Sequence, residues 1–176
     1  SIPPQDPLGT PDSPTAIYSI PADGSPAALI HSVVVSPLSY VHIAPDLNHI
    51  AYKINIGDPA NNQYSLQLAD LTGTPPWQVD SGTIHFLNWG PDSSCFSYID
   101  WNLDGIYIYD LNANIITFVE KSPAYNLSWV TSEIFLYIHT DGTSQILRTG
   151  SLTAPGEMIA NLGSSAGPAS YAFAAP

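Results

Sequence analysis

Positive charge is nearly absent from this chain. Lys53, Lys121 and Arg148 are the only fixed cations in 176 residues, against 15 Asp and Glu, for a formal net charge of −12. Nucleic-acid binding needs Lys and Arg to displace counterions from phosphates, so this balance excludes it, and it argues equally against an anionic membrane surface. Carboxylates are sparse as well: charged residues make up 10% of the chain, where about 25% is usual for a soluble domain. The polar surface therefore has to come from Ser, Thr, Asn and Gln, and from any attached glycans. That composition points to an extracellular or cell-surface setting, or to a periplasm. Asn126-Leu127-Ser128 is the one N-glycosylation sequon. Cys95 is alone, which rules out an internal disulfide framework and leaves it as a small buried hydrophobe. No apolar run is long enough to span a membrane as a helix, so membrane insertion is not expected. No segment combines helical periodicity with helix caps. The only methionine is Met158, so the sequence is expected to start after processing or to be a piece of a longer one.

What is there is β structure. Ile84 to Leu111 holds three strand-like runs and two turns. Ile84 to Trp89 leads through Gly90-Pro91-Asp92-Ser93 into Cys95 to Trp101, then through Leu103-Asp104-Gly105 into Ile106 to Leu111. Pro91 fixes φ and Asp92 can bond its own backbone, while Gly105 can take positive φ without steric cost. An antiparallel meander follows. The unit recurs. Pro45-Asp46 and Pro91-Asp92 are 46 residues apart; Asp70-Leu71 and Asp110-Leu111 are 40 apart, as are Trp89 and Trp129. Tyr52, Tyr98 and Tyr137 follow at intervals of 46 and 39, the longer one explained by an insert at Gly57 to Gln63. A period of about 40–45 residues with four short strands is that of propeller blades.

Pro-Asp followed by Ile-Ala-Tyr at 50–52, and Ile-Tyr-x-Tyr-Asp-Leu at 106–111, resembles the TolB-like propeller repeat, a relative of the WD repeats. The resemblance implies an all-β chain with blades at about 40–80, 84–120 and 125–162, and partial blades at both ends. Thr131-Ser132 stands in the third blade where Pro-Asp is expected. Such propellers serve as binding platforms, as gates on peptidases and as enzymes, so the resemblance implies a fold more than a function. Ahead of the repeat domain at 15–176, residues 1–14 carry Pro3, Pro4, Pro7, Pro11 and Pro14, which predicts an extended arm or linker. Thr15 to Pro21 and Ala27 to His31 read as strands around Asp23-Gly24. Val33 to Val35 reads as a short strand or a loop, Gly163 to Pro168 as a flexible connector, and Tyr171 to Ala174 as a last strand. Half-blades at the ends leave edges that a longer chain, a thin blade or strand exchange with a neighbour would complete.

Candidate chemistry is thin. Asp100, Asn102 and Asp104, followed by Gly105, match the opening of a calcium loop, in which oxygens at positions one, three and five converge. Leu111 stands where an EF-hand needs its bidentate Glu, so the alternatives are a short calcium loop on a hairpin or a plain solvated turn. Asp58, Asn61 and Asn62 could supply further oxygens in another loop. Gly163-Ser164-Ser165-Ala166-Gly167 has the G-x-S-x-G form, but Pro168 follows at once and no His lies beyond His139, so a nucleophile elbow is not expected. His31, His42, His49, His85 and His139 show no metal-ligand spacing. Recurrent Tyr and Trp argue packing, while Trp77 and Trp101 break the period and suit a sugar or partner contact. The expectation is a non-catalytic structural or interaction module with no cofactor, calcium aside. Its partners are protein subunits, most directly copies of itself in a homo-oligomer or surface polymer. The alternatives are the propeller domain of a larger secreted peptidase or glycan-active enzyme, and a calcium- or carbohydrate-binding module.

Overall fold

The computed structural model describes residues 13–19, 23–35, 41–56, 63–72, 74–121, 127–154 and 156–164. Over these the chain is all β, with fourteen strands and no helix. The hairpin β1 (Ser13–Ser19) and β2 (Ala28–Val35) forms a two-stranded sheet. β3 (His42–Ile43), β4 (His49–Asn55), β5 (Tyr64–Asp70) and β6 (Trp77–Gly82) form the first four-stranded sheet. β7 (Ile84–Trp89), β8 (Cys95–Asp100), β9 (Gly105–Asp110) and β10 (Ile115–Lys121) form the second. β11 (Leu127–Trp129), β12 (Ile134–Asp141), β13 (Ser144–Ser151) and β14 (Glu157–Ser164) form the third. Every neighbour in a sheet is its sequence neighbour and runs antiparallel, so each sheet is a meander. The chain divides into two compact units, 1–83 and 84–176.

Two turns repeat almost atom for atom, and proline explains why. In the first sheet the Leu47 amide donates to Ala44 O (3.0 Å), Leu47 turns left-handed (φ 58°), and the Asn48 amide donates to Asp46 Oδ1 (2.9 Å). In the second the Ser93 amide donates to Gly90 O (3.0 Å), Ser93 takes φ 64°, and the Ser94 amide donates to Asp92 Oδ1 (3.0 Å). The proline before each Asp presets the first corner, and the carboxylate takes up the amide that the left-handed residue frees. The β5–β6 and β9–β10 turns are capped likewise by Asp70, which accepts from the Thr72 and Thr74 amides, and Asp110, which accepts from those of Asn112 and Ala113. Each of these turns is tied to the first turn of its own sheet, Leu71 N to Asn48 O and Leu111 N to Ser94 O. The third sheet uses hydroxyls in both places. Thr131 Oγ1 accepts from the Glu133 and Ile134 amides, and Ser151 Oγ from those of Thr153 and Ala154. A hydroxyl makes the same local bond without a charge.

The core lies between sheet faces. In the second unit Cys95, Ile99, Ile106 and Ile108 on one face of the second sheet pack with Leu127, Phe135 and Tyr137 on the third. Asn88 Nδ2 donates to Leu127 O (2.7 Å), linking the first strands of these two sheets. In the first unit Ile17 of the hairpin packs on Ile50, Tyr52 and Ala69. The periodic aromatics are packing residues: Tyr52, Tyr98 and Tyr137 are buried. Trp89 and Trp129 stand edge-on to the Phe directly opposite, Trp89 on Phe96 at 5.1 Å and Trp129 on Phe135 at 5.3 Å.

Three local expectations change. Val33 to Val35 continues β2, pairing with Thr15, Pro14 and Ser13, because Pro37 lies just past the last ladder position. Gly163 and Ser164 end β14 and pair with Gln145 and Ser144 instead of opening a connector; a positive φ of 83° lets Gly163 hold the ladder at the bulge. At Asp104-Gly105 the left-handed residue is Asp104 (φ 54°), not the glycine. Gly105 is required by crowding, since a Cβ there would lie 2.7 Å from Phe118 Cε2. Residues 1–12, 57–62, 126 and 165–176, with the expected arm, insert, sequon asparagine and last strand, lie outside the described residues.

Two outcomes follow. Gly150 faces Phe135 across the ladder, and a Cβ on it would sit 2.6 Å from the Phe135 ring. Gly150→Ala is expected to cost about 1–3 kcal/mol by overpacking, read as a lowered denaturation midpoint. The Asp92 carboxyl is held below its ordinary 3.8 by the Ser94 hydroxyl and amide, and Asp70 is depressed further by the Thr74 and Thr72 side chains and amides. A depressed carboxyl contributes stability that is present above the unfolded-chain value and lost as pH falls through the folded one. Tm should therefore hold from neutrality to about pH 5 and then fall with acid, and Asp92→Asn should make that fall shallower.

Candidate functional site

The junction of the second and third sheets gathers what polar chemistry the second unit has. Glu120 in β10 reaches across to the third sheet, where Oε2 accepts from Tyr137 Oη and Arg148 Nη1, each at 3.3 Å. Arg148 pairs with Tyr137 across the β12–β13 ladder, which aims both at Glu120. The Tyr137 phenol is raised, chiefly by burial, with Arg148 opposing and the Glu120 charge reinforcing the shift. The pair is partly exposed, so its energy is modest; its geometry matters more, as it fixes the two sheets in register. Arg148 Nε and His139 Nδ1 on the same face are buried without a hydrogen-bond partner. Beside this pair lies a cleft of about 280 Å³. Ile108, Phe118, Val119, Phe135 and Leu152 make its apolar walls, with hydroxyls from Thr117, Ser151 and Thr153. Its volume is just below the range of about 300–1,000 Å³ for small-molecule sites. No short motif announced it, because its walls come from residues 108 to 156.

The calcium candidates fall on one turn. Asp100 is buried at the end of β8 and its Oδ1 accepts from the Asn102 amide (2.8 Å). Asn102 and Asp104 are exposed beyond it. One carboxylate is thus already employed as a backbone cap. Among the described residues no group of three or more His, Cys, Asp or Glu is arranged to hold a metal ion. Cys95 is fully buried and burial pushes its thiol up to about 11, so it carries no thiolate at neutral pH. His49 bonds Asp46 at 3.0 Å and belongs to the turn. Of the G-x-S-x-G run, Gly163 and Ser164 end β14, and the other three residues lie outside the described ones. Trp101 is exposed next to the Asp100 turn and Trp77 is half-buried in β6.

Sheets of this kind have many solved counterparts. The β-propeller domain of the Trilobed protease from Pyrococcus furiosus matches with a TM-score of 0.60 at 15% identity, over 82% of this chain and 48% of that one. The protein lmo1340 of Listeria monocytogenes EGD-e matches at 0.60 and 16%, over 86% and 48%. A eukaryotic initiation factor matches at 0.59 and 11%, over 85% and 43%. The fold is that of β-propeller blades. This chain spans about half the length of those structures, or less. No protein-family profile matches it, and no curated protein does.

The Asp100 turn gives a test of the calcium reading. With Asp100 committed to the Asn102 amide, calorimetry with calcium should show binding no tighter than about 1 mM, the weak end for protein calcium sites. A micromolar site lost in Asp104→Ala would show that the turn rearranges into a true calcium loop.

Proposed function

We propose that this chain is a non-catalytic structural and interaction module of a secreted or surface-displayed assembly, built of TolB-like propeller blades. It contacts other protein subunits through exposed sheet faces and turns. The observation that supports this reading most is the outer face of the third sheet. Ile134, Leu136, Ile138 and Leu147 share that face; Ile138 is buried, but Ile134 is 45% exposed and Leu136 and Leu147 are only half-buried. An apolar sheet face left open is a contact surface. The low charge fits as well: few ionic groups need to be desolvated when such a surface is covered.

A second reading has its own support. The Pyrococcus furiosus counterpart is the propeller domain of a protease, so these blades can equally be the accessory domain of a longer enzyme. The non-catalytic reading of these 176 residues is tested on the purified chain, and the accessory-domain reading by the intact mass of the source protein, which would be well above 18.8 kDa. Hydrolysis of peptidyl p-nitroanilides and aryl glycosides should stay at the buffer rate. Turnover that co-purifies with the chain and is abolished by one Ser→Ala or Asp→Ala change would overturn the non-catalytic reading.

A further inference from the structure

The two units obey one covering rule. The tyrosine-bearing face of a four-stranded sheet is covered by the element before it in the chain. The hairpin's Ile17 lies on the Tyr52 face of the first sheet, and the Cys95–Ile99 face of the second lies on the Tyr137 face of the third. The opposite face is then offered to whatever follows. In the second sheet that face is sealed: Cys95 is 0% exposed and Ile99 1%. Aligning the Trp–Phe pairs of the two sheets, Trp89–Phe96 on Trp129–Phe135, makes Ile134 the counterpart of Cys95, and Leu136 and Ile138 those of Ser97 and Ile99. The third sheet thus presents a sealing-type face that is closed at Ile138, 4% exposed, and open at its Ile134 end. At the hairpin the reverse holds. The pair Ile17-Tyr18 matches Ile106-Tyr107 in sequence, and Tyr107 stacks on Tyr98 at 5.6 Å in the second sheet, yet Tyr18 is 55% exposed and its ladder partner Leu29 58%.

We propose that the open face of the third sheet takes the Tyr18–Leu29 face of a second copy of this chain, head to tail, and that two copies close on each other. This rests on the interaction-module reading above. The two surfaces are complementary by the rule that packs every other junction within a unit. β1 and β2 carry no Asp, Glu, Lys or Arg, in a chain with 15 carboxylates, so the contact brings two acidic molecules together over uncharged strands. One copy spans 48% of the length of each of two of the propeller structures it resembles, so two copies have about the length of one such chain. A heterologous contact that closes after two copies leaves no free end, whereas an unclosed one would run on as a filament.

Sedimentation equilibrium on the 176-residue chain tests this. The expected species is twice the 18.8 kDa chain mass. Ile134→Glu and Leu29→Glu, both at exposed positions, should each be monomeric with wild-type circular dichroism. Mixed together they should form a dimer again, because one intact face remains on each partner. A monomeric wild type overturns the proposal and points to further blades of a longer chain as the occupant. So does a dimer that survives either variant, which marks an isologous contact, or a series of ever larger species, which marks a filament. None of these outcomes bears on whether the chain turns over a substrate, so the proposal and the non-catalytic reading fail separately.

Discussion

Each four-stranded sheet here has two apolar faces, and neither can be left to water cheaply. That constraint governs the rest of the structure. A meander satisfies its own interior backbone bonds, but it buries nothing until another sheet lies on it. β8 shows the result, with all six residues from Cys95 to Asp100 buried. The faces are not alike. One carries the large rings, Phe96 with Tyr98 and Phe135 with Tyr137, and the other carries smaller groups such as Cys95, Ser97 and Ile99. Large against small is what lets neighbouring sheets approach at native density. Gly150 opposite Phe135 and Gly105 beside Phe118 continue the same economy of volume at single positions.

Turns at the strand ends then set register, and they use the chain's scarce charge to do it. Asp46, Asp70, Asp92 and Asp110 each accept from the backbone amide two residues further on. Their carboxylates therefore serve the local structure of the turns. In the third sheet Thr131 and Ser151 take over, so its turns are held without charge. A neutral cap also costs less to bury than a carboxylate.

The repeated Trp, Tyr and Pro-Asp positions made the blade pattern legible, since each is a packing or turn device that every copy needs. The fourth strands were harder to see. β10 is mostly exposed and β14 almost wholly so, and an exposed outer strand has no face whose pattern must alternate. Gly105 was legible as necessary but for the wrong cause, because crowding by Phe118 depends on a strand that pairs from thirteen residues further on. The Glu120–Arg148 pair and the cleft beside it carried no signal at all. Their parts are distributed over two sheets, and only the packing brings them together.

The central claim is that an apolar sheet face in this fold stays uncovered only until a matching face arrives. Amide hydrogen exchange at low and at high protein concentration tests it most directly. The account predicts that protection of β1, β2, β12 and β13 rises with concentration while that of β8 and β9, already sealed, stays constant. Equal protection of all these strands at both concentrations would contradict it.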